Sequence, residues 1–247
     1  MELVNIFKME MFKNRNDKPY LLVIAILTLM AATSTFLSIT KMKSGWDEGT
    51  FLNDNFYPVF IPLIVFTILG LGIFSLLYPF HLLNVDYKNK VMSLIFASGV
   101  SREKYYFVKI SATILACLIA TLVILFIPIV TFLLVYPEVF VNMMQSIFKQ
   151  FTISDIIPFV LMSLFSWLAF YVTLTTSVII TKGKVAGIFL YFGFSFTIST
   201  IQSMFIFPLL IATHNINSYI IFATIFSIIQ ILVFVILGLY ILKRQDL

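Results

Sequence analysis

Long stretches without Asp, Glu, Lys or Arg dominate the chain: residues 19 to 40, 55 to 85, 110 to 137, 156 to 181 and 185 to 242 carry none. A helix that crosses a bilayer needs roughly 20 mostly apolar residues. Each of the first four stretches therefore predicts one span, near 20–40, 56–80, 107–135 and 157–181. The last stretch is too long for one crossing and is interrupted at Pro208 and at the polar segment Thr213 to Ser218. It predicts two spans, near 185–207 and 218–242, with Pro208 ending the fifth span and opening an irregular outer hairpin before the sixth. The expected fold class is an all-α integral membrane protein of six transmembrane helices, a single domain over 1–247.

Two segments outside the spans also show helical periodicity. Phe140, Met143, Met144, Ile147, Phe148 and Phe151 follow i, i+3, i+4, i+7 spacing, with Asn142, Gln145, Lys149 and Gln150 on the other side. This predicts a helix over 138–151 lying in the outer interface. In the first 18 residues Leu3, Val4, Phe7 and Met11 share a face while Ile6, Met9 and Phe12 fall opposite. A surface helix of moderate amphipathicity leading into the first span is expected there.

Composition agrees with this pattern. The 247 residues are 61% hydrophobic, 17% aromatic and only 11% charged, whereas soluble domains carry about 25% charge; a water-soluble globular protein is excluded. The net charge of +5 would raise the question of nucleic acid in a soluble protein, but here it reads as orientation, and no nucleic-acid partner is expected. Of the sixteen Lys and Arg residues, thirteen fall in the N-terminus, the 81–109 segment, the 182–184 turn and the C-terminus. Only Lys41, Lys43 and Lys149 fall in the alternate loops. The positive-inside rule then places both termini in the cytoplasm, and the loop around Trp46 and the 136–156 segment outside. One cysteine, Cys117, and two distant histidines, His81 and His214, give no support to a disulfide framework or a metal site. The N-terminus lacks the short apolar core and small-residue cleavage site of a removable signal peptide.

The most informative cytoplasmic stretch is D-Y-K-N-K-V-M-S-L-I-F-A-S-G-V-S-R-E-K-Y-Y-F-V-K-I, residues 86 to 110. Val91 to Ala97 is apolar and helix-compatible, and Gly99 suits a left-handed C-terminal cap. Ser101 can accept the first free N–H groups of the next helix, with Glu103 in its first turn complementing the dipole. A compact helical knuckle displaying Arg102 and Lys104 is expected; without further information it reads equally as a basic interfacial linker.

This run resembles the coupling segment of type-2 ATP-binding-cassette (ABC) permeases, which commonly show a small residue, Gly or Pro, a Ser-Arg pair and a Lys several residues on. Ser98, Gly99, Ser101, Arg102 and Lys109 match those positions. Six spans, an amphipathic start, both termini inside and the short K-R-Q-D-L tail agree. The departure is ahead of the run, where an acidic residue followed by Gly-Thr is frequent; here Asp86 is followed by Lys88, Asn89 and Lys90. The resemblance implies that Asp86, Lys88, Asn89, Leu94, Ser98, Gly99, Val100, Ser101, Arg102, Glu103 and Lys104 couple the spans to a separate ATPase subunit. It further implies two ATPase copies holding ATP and Mg, and a second permease subunit, a homodimer partner or a paralogue.

The division of labour fits the residues. A G-x-x-x-x-G-K-[ST] loop is absent: Gly183-Lys184 is the only Gly-Lys pair, and Val178 and Val185 stand where Gly and Ser/Thr are required. The chain is thus expected to be no enzyme, with no catalytic or metal-ligating residues and no cofactor of its own. No Asp, Glu, Lys or Arg lies in the apolar centre of any span, which argues against a proton-driven carrier or ion pump. Gly99-Val100-Ser101-Arg102-Glu103 lacks the final Gly of a nucleophile elbow.

Along the fifth span Gly183, Gly187, Ser195, Ser199 and Ser203 recur at multiples of four, a pattern that allows close helix approach. It reads as a subunit interface or as packing within one bundle. Thr197, Thr200 and Gln202, with Thr67 and Ser75 on the second span, could line a substrate path or be satisfied by their own backbone. The compact chain, with Ile/Phe/Lys/Asn-rich usage suggestive of a low-GC Gram-positive bacterium, resembles small permeases that handle amphipathic antimicrobial peptides, such as lantibiotic-immunity permeases and phenol-soluble modulin exporter permeases. The expectation is a multi-pass cell-membrane permease of an exporter taking amphipathic peptides from the bilayer. The rivals are an ATP-independent channel or secondary carrier, and a membrane scaffold or maturation factor.

Overall fold

The computed structural model describes the backbone of residues 3–47, 56–135, 137, 141, 145, 153–213 and 216–245, and the side chains of these except 38–47, 56–67, 132, 153–155, 206–207, 209–213 and 216–217. Eight continuous helices follow one another among the described residues: α1 (Leu3–Arg15), α2 (Lys18–Asp47), α3 (Phe56–Lys88), α4 (Val91–Ala97), α5 (Arg102–Val135), α6 (Ile153–Ile180), α7 (Ala186–Thr213) and α8 (Ile216–Arg244). No strand occurs among the described residues. Six of the helices, α2, α3, α5, α6, α7 and α8, are long and apolar enough to cross a membrane. Of the expected interfacial helix at 138–151 only Val141 and Gln145 are described, both helical; its other residues and the side chain of Thr67 lie outside the described residues.

Local chemistry explains the breaks. Asp17 sits between α1 and α2, and its carbonyl accepts the first helical bond, from the Leu21 N–H at 3.0 Å. Pro19 follows in the first turn, where its missing N–H has no helical partner to lose. α3 stops at Lys90, which is left-handed at φ 54°. α6 stops at Gly183, left-handed at φ 75°, whose N–H reaches back to the Val178 carbonyl at 2.9 Å, a bond of the Schellman type that satisfies an orphan carbonyl.

Pro208 behaves differently from the expectation. It lies inside α7, which continues to Thr213. Proline removes one N–H and crowds the carbonyl four residues back, which bends a helix without ending it. Continuing the helix keeps every remaining backbone group paired, which an apolar surrounding demands. Pro128 and Pro158 are likewise inside α5 and α6.

The chain divides into two compact units. One comprises Phe12–Leu77 and Leu115–Gln150. In it the Tyr20 hydroxyl of α2 donates to the Ala116 carbonyl of α5 at 2.7 Å, and its ring lies 5.8 Å from that of Phe74. Gly70 permits close approach of α2 and α3, since a Cβ there would stand 2.7 Å from Leu27 Cδ2. Ala116 and Ala120, four apart on α5, are buried, as small residues at helix crossings should be.

The other unit comprises Met1–Met11, Tyr78–Ile114 and Phe151–Leu247. Its core joins Tyr106 and Ile110 of α5 with Val172 and Ile179 of α6 and Phe234 and Leu242 of α8. Polar bridges tie α6 to α8: Ser166 to Ser227 at 3.2 Å, Gln230 Nε2 to Thr173 Oγ1 at 2.9 Å, and Thr176 Oγ1 to the Phe234 carbonyl at 3.0 Å. Such bonds hold helices together where apolar surroundings on both sides remove the hydrophobic drive. Large apolar side chains such as Leu122, Phe126, Leu134 and Phe196 point outward, the arrangement a lipid solvent favours.

α1 forms where the N-terminal helix is expected. The face it buries is Ile6, Glu10 and Asn14, while Leu3 and Val4 are exposed. The reason is electrostatic and appears with the site.

Candidate functional site

The 86–110 segment forms the expected helix, stop and new helix. α4 ends with Gly99 left-handed at φ 85°, its N–H donating to the Phe96 carbonyl at 3.0 Å. Ser101 then opens α5: its carbonyl accepts from the Tyr105 N–H at 3.1 Å, and its hydroxyl oxygen receives the Lys104 N–H at 3.4 Å. α4 thus stands as a short turn between α3 and α5. Its Leu94 side chain is 69% exposed, and Lys88, Asn89, Ser98, Gly99, Ser101 and Lys104 are exposed around it, whereas Val100 is buried.

Arg102 is not displayed as the sequence suggests. Its Nη1 donates to the carbonyls of Leu242, Lys243 and Gln245 at 2.6, 2.8 and 2.9 Å, and the guanidinium lies 5.5 Å from the Phe96 ring centre. These are carbonyls that the end of α8 leaves without helical partners. A cation is also favoured at a helix C-terminus, and Arg102 supplies it from 140 residues upstream. Glu103 adds an ion pair with Lys243. Gln245 completes the fastening: its Nε2 donates to the Ile179 carbonyl at 2.6 Å, and its Oε1 accepts from the Tyr87 hydroxyl at 3.0 Å. The end of α3, the start of α5, the end of α6 and the end of α8 therefore meet, as alternating spans require.

Beneath the knuckle is a buried ionic cluster. Lys109 Nζ lies 2.8 Å from Glu10 Oε2 and 2.5 Å from Asp86 Oδ2, with side-chain exposures of 2%, 1% and 0% for Lys109, Glu10 and Asp86. The Tyr105 hydroxyl donates to Asp86 Oδ2 at 2.9 Å, and the Tyr105 ring meets Phe96 of α4 edge-on at 5.4 Å. One ammonium thus joins α1, α3 and α5, and one aromatic pair carries the connection to α4. The second oxygen, Glu10 Oε1, is buried without a hydrogen-bond partner. Burying ions is unfavourable unless they are paired, so this cluster sets which face of α1 turns inward.

No family model, curated protein or solved structure matches this chain. Function must accordingly be argued from the residues themselves. The small-residue stripe separates into different environments. Gly183 and Gly187 serve contacts inside the chain: a Cβ on Gly183 would meet Tyr87 Cβ at 3.1 Å and Asn84 Cα at 3.2 Å, and one on Gly187 would meet Thr181 Oγ1 at 2.6 Å and Val178 Cα at 3.2 Å. Ser195 and Ser203 are half-buried and Ser199 is exposed.

Of the residues expected to line a path, Thr197 and Thr200 donate to the carbonyls of Gly193 and Phe196 at 2.9 Å each, the ordinary back-bonding of a helical threonine. Ser203 donates to the Thr200 carbonyl at 2.8 Å. Gln202 and Ser75 are half-buried.

Glu10 and Tyr105 escaped the sequence reading, as did the cap that Arg102 forms and the stitching by Gln245. A signal existed for Glu10 alone: a carboxylate set directly between Met9 and Met11. Its partner, 99 positions away, leaves no local trace.

Proposed function

We propose that the chain is the transmembrane permease subunit of an ATP-driven exporter of the type-2 ABC kind. It works as a pair of permease subunits with two ATPase subunits, and moves amphipathic peptides out of the cell or the membrane. Both termini and α4 face the cytoplasm in this reading, on the distribution of Lys and Arg along the chain. The observation that carries it is the pairing of an outward-facing Leu94 on α4 with a rigid base under it. The Phe96–Tyr105 contact, the Asp86–Lys109–Glu10 cluster and the Arg102 clamp connect that base to α1, α3, α5 and α8.

A surface element that transmits force from a docked subunit needs an exposed anchor and stiff linkage to several spans. An apolar side chain exposed on a seven-residue helix among polar neighbours is the kind of anchor that docking sites use. Energy from ATP comes from the partner, since this chain has no phosphate-binding loop. The apolar spans suit a substrate that is itself membrane-active and enters from the bilayer.

Purifying the tagged chain from its native membrane in mild detergent tests the proposal. The expected result is a stoichiometric ATPase subunit whose hydrolysis rises with added amphipathic peptide. A partner-free oligomer without ATP turnover would overturn it and favour a channel or carrier. Leu94→Glu is expected to abolish ATPase co-purification while leaving the chain inserted and monodisperse, because the Leu94 side chain is 69% exposed. Undiminished co-purification would remove α4 from the docking surface.

A further inference from the structure

A cleft of about 800 Å³ opens beside α4, bounded by the C-terminal end of α3, by α4 and by the turn between α6 and α7. Four lysines from these segments line it: Lys88, Lys90, Lys182 and Lys184. All four are exposed, and none of their ammonium groups is paired with a carboxylate among the described residues. Asp86 also lines the cleft, but its Oδ2 is committed to Lys109 and Tyr105. We propose that this cleft binds the headgroup of an anionic phospholipid, its phosphate held by Lys90 and Lys182 with Lys88 and Lys184 flanking.

Position along the chain sets the depth of the site. Lys88 is the last residue of one candidate span, and the next two spans end at Ile180 and begin at Ala186. Lys182 and Lys184 fall in that gap and Lys90 lies two residues past Lys88, so all four lysines stand in the sequence at or just beyond a span end, the level where a bilayer's hydrocarbon gives way to headgroups. Basic pockets between transmembrane helices at this level are the usual setting for acidic headgroups. A volume of this size falls in the ordinary range of small-ligand sites. The lining is also amphipathic as a lipid requires: Met92 is buried at the cleft wall, and the exposed Val185 adds an apolar side chain to it.

Lysines that merely flank spans need not converge, and here the backbone makes them do so. Gly183, left-handed at φ 75°, presses the turn onto α3; any Cβ would stand within 3.2 Å of Asn84 Cα and Tyr87. Lys90 and Lys182 are themselves left-handed, at φ 54° and 53°. That conformation is unfavourable for a side-chain-bearing residue and comes far more easily to Gly or Asn. Among the described residues they are the two non-glycine positions with positive φ, and both face this cleft. In these turns the left-handed residues close α3 and α6, and both closures bring a lysine to the rim of the same cleft. The inference does not depend on the exporter reading; it needs only that the helices span a membrane.

The test uses the full chain, delipidated in detergent and titrated with phosphatidylglycerol or phosphatidylcholine by native mass spectrometry. Wild-type protein is expected to bind one phosphatidylglycerol in preference to phosphatidylcholine. In the double variant Lys90→Gln/Lys182→Gln the preference falls by about fivefold for each lysine removed. The control pair Lys8→Gln/Lys104→Gln, exposed lysines outside the cleft, keeps it. Unchanged phosphatidylglycerol binding in the cleft variant, or an equal loss in the control, would overturn the site. Displacement of the lipid by millimolar inorganic phosphate would show that a free phosphate is the ligand. Loss of a protein partner with lipid binding intact would assign the cleft to an acidic protein surface instead.

Discussion

Replacing Lys109 with Met is the most decisive perturbation of the buried cluster. The side chain keeps its length, yet Glu10 and Asp86, 1% and 0% exposed, lose the cation that lies 2.8 and 2.5 Å from them. Removing one partner of a buried ion pair costs about 3–5 kcal/mol, because the remaining charge stays desolvated. Two carboxylates lose their cation here, and Glu10 Oε1 already lacks a hydrogen-bond partner, so the upper half of that range is expected. At ~2–4 °C per kcal/mol for a chain of this size, the midpoint should fall by more than about 8 °C. Cys117, the single cysteine, is buried two turns further along α5, so a thiol-reactive fluorogenic dye that labels it on exposure reports unfolding in detergent. Glu10→Gln supplies the contrast. It removes one carboxylate charge and leaves Lys109 matched one-to-one with Asp86, so a change below about 1 kcal/mol is expected. A Lys109→Met midpoint within 2 °C of wild type, or a Glu10→Gln loss as large as that of Lys109→Met, would refute the charge-matching argument.

Two further predictions concern packing. Arg102→Met keeps the apolar stem but removes the donor shared by three carbonyls at the end of α8. A loss of about 1–3 kcal/mol, reduced by the partial exposure of the group, is expected, with faster hydrogen exchange in the last turn of α8; unchanged exchange there would remove the cap from the account. Gly238→Ala places a Cβ 2.7 Å from Tyr106 Oη and 3.0 Å from Thr176 Oγ1 and should cost about 1–3 kcal/mol by overpacking. At Gly193, where a Cβ meets nothing within 4 Å, the same change should be neutral or stabilise by up to about 1 kcal/mol through helix propensity. Equal midpoints for the two alanine variants would contradict the packing at Gly238.

How much was legible follows from which interactions are local. The six spans can be placed from uncharged stretches alone, because backbone pairing in an apolar solvent forces each long apolar run into a helix. The α4 knuckle was equally readable: Gly99 is left-handed and Ser101 opens α5, as those residue types ask of the chain a few positions either side. The same local logic misjudged Pro208, because a proline's local preference to break a helix yields where the following residues have no better place for their backbone groups than the helix itself.

Charge was read correctly in number and wrongly in role. Sequence alone determined that the chain is helical, where it runs apolar, and that its cations cluster on alternate loops. Only the tertiary structure decided that Lys109 is sealed between Glu10 and Asp86, that Arg102 turns inward to cap α8, and that α1 buries Ile6, Glu10 and Asn14 in place of its more apolar face. The physical reason is range. Hydropathy and turn chemistry act over one or two turns, whereas a buried charge is tolerated or forbidden by a partner that the fold brings from 99 or 140 positions away.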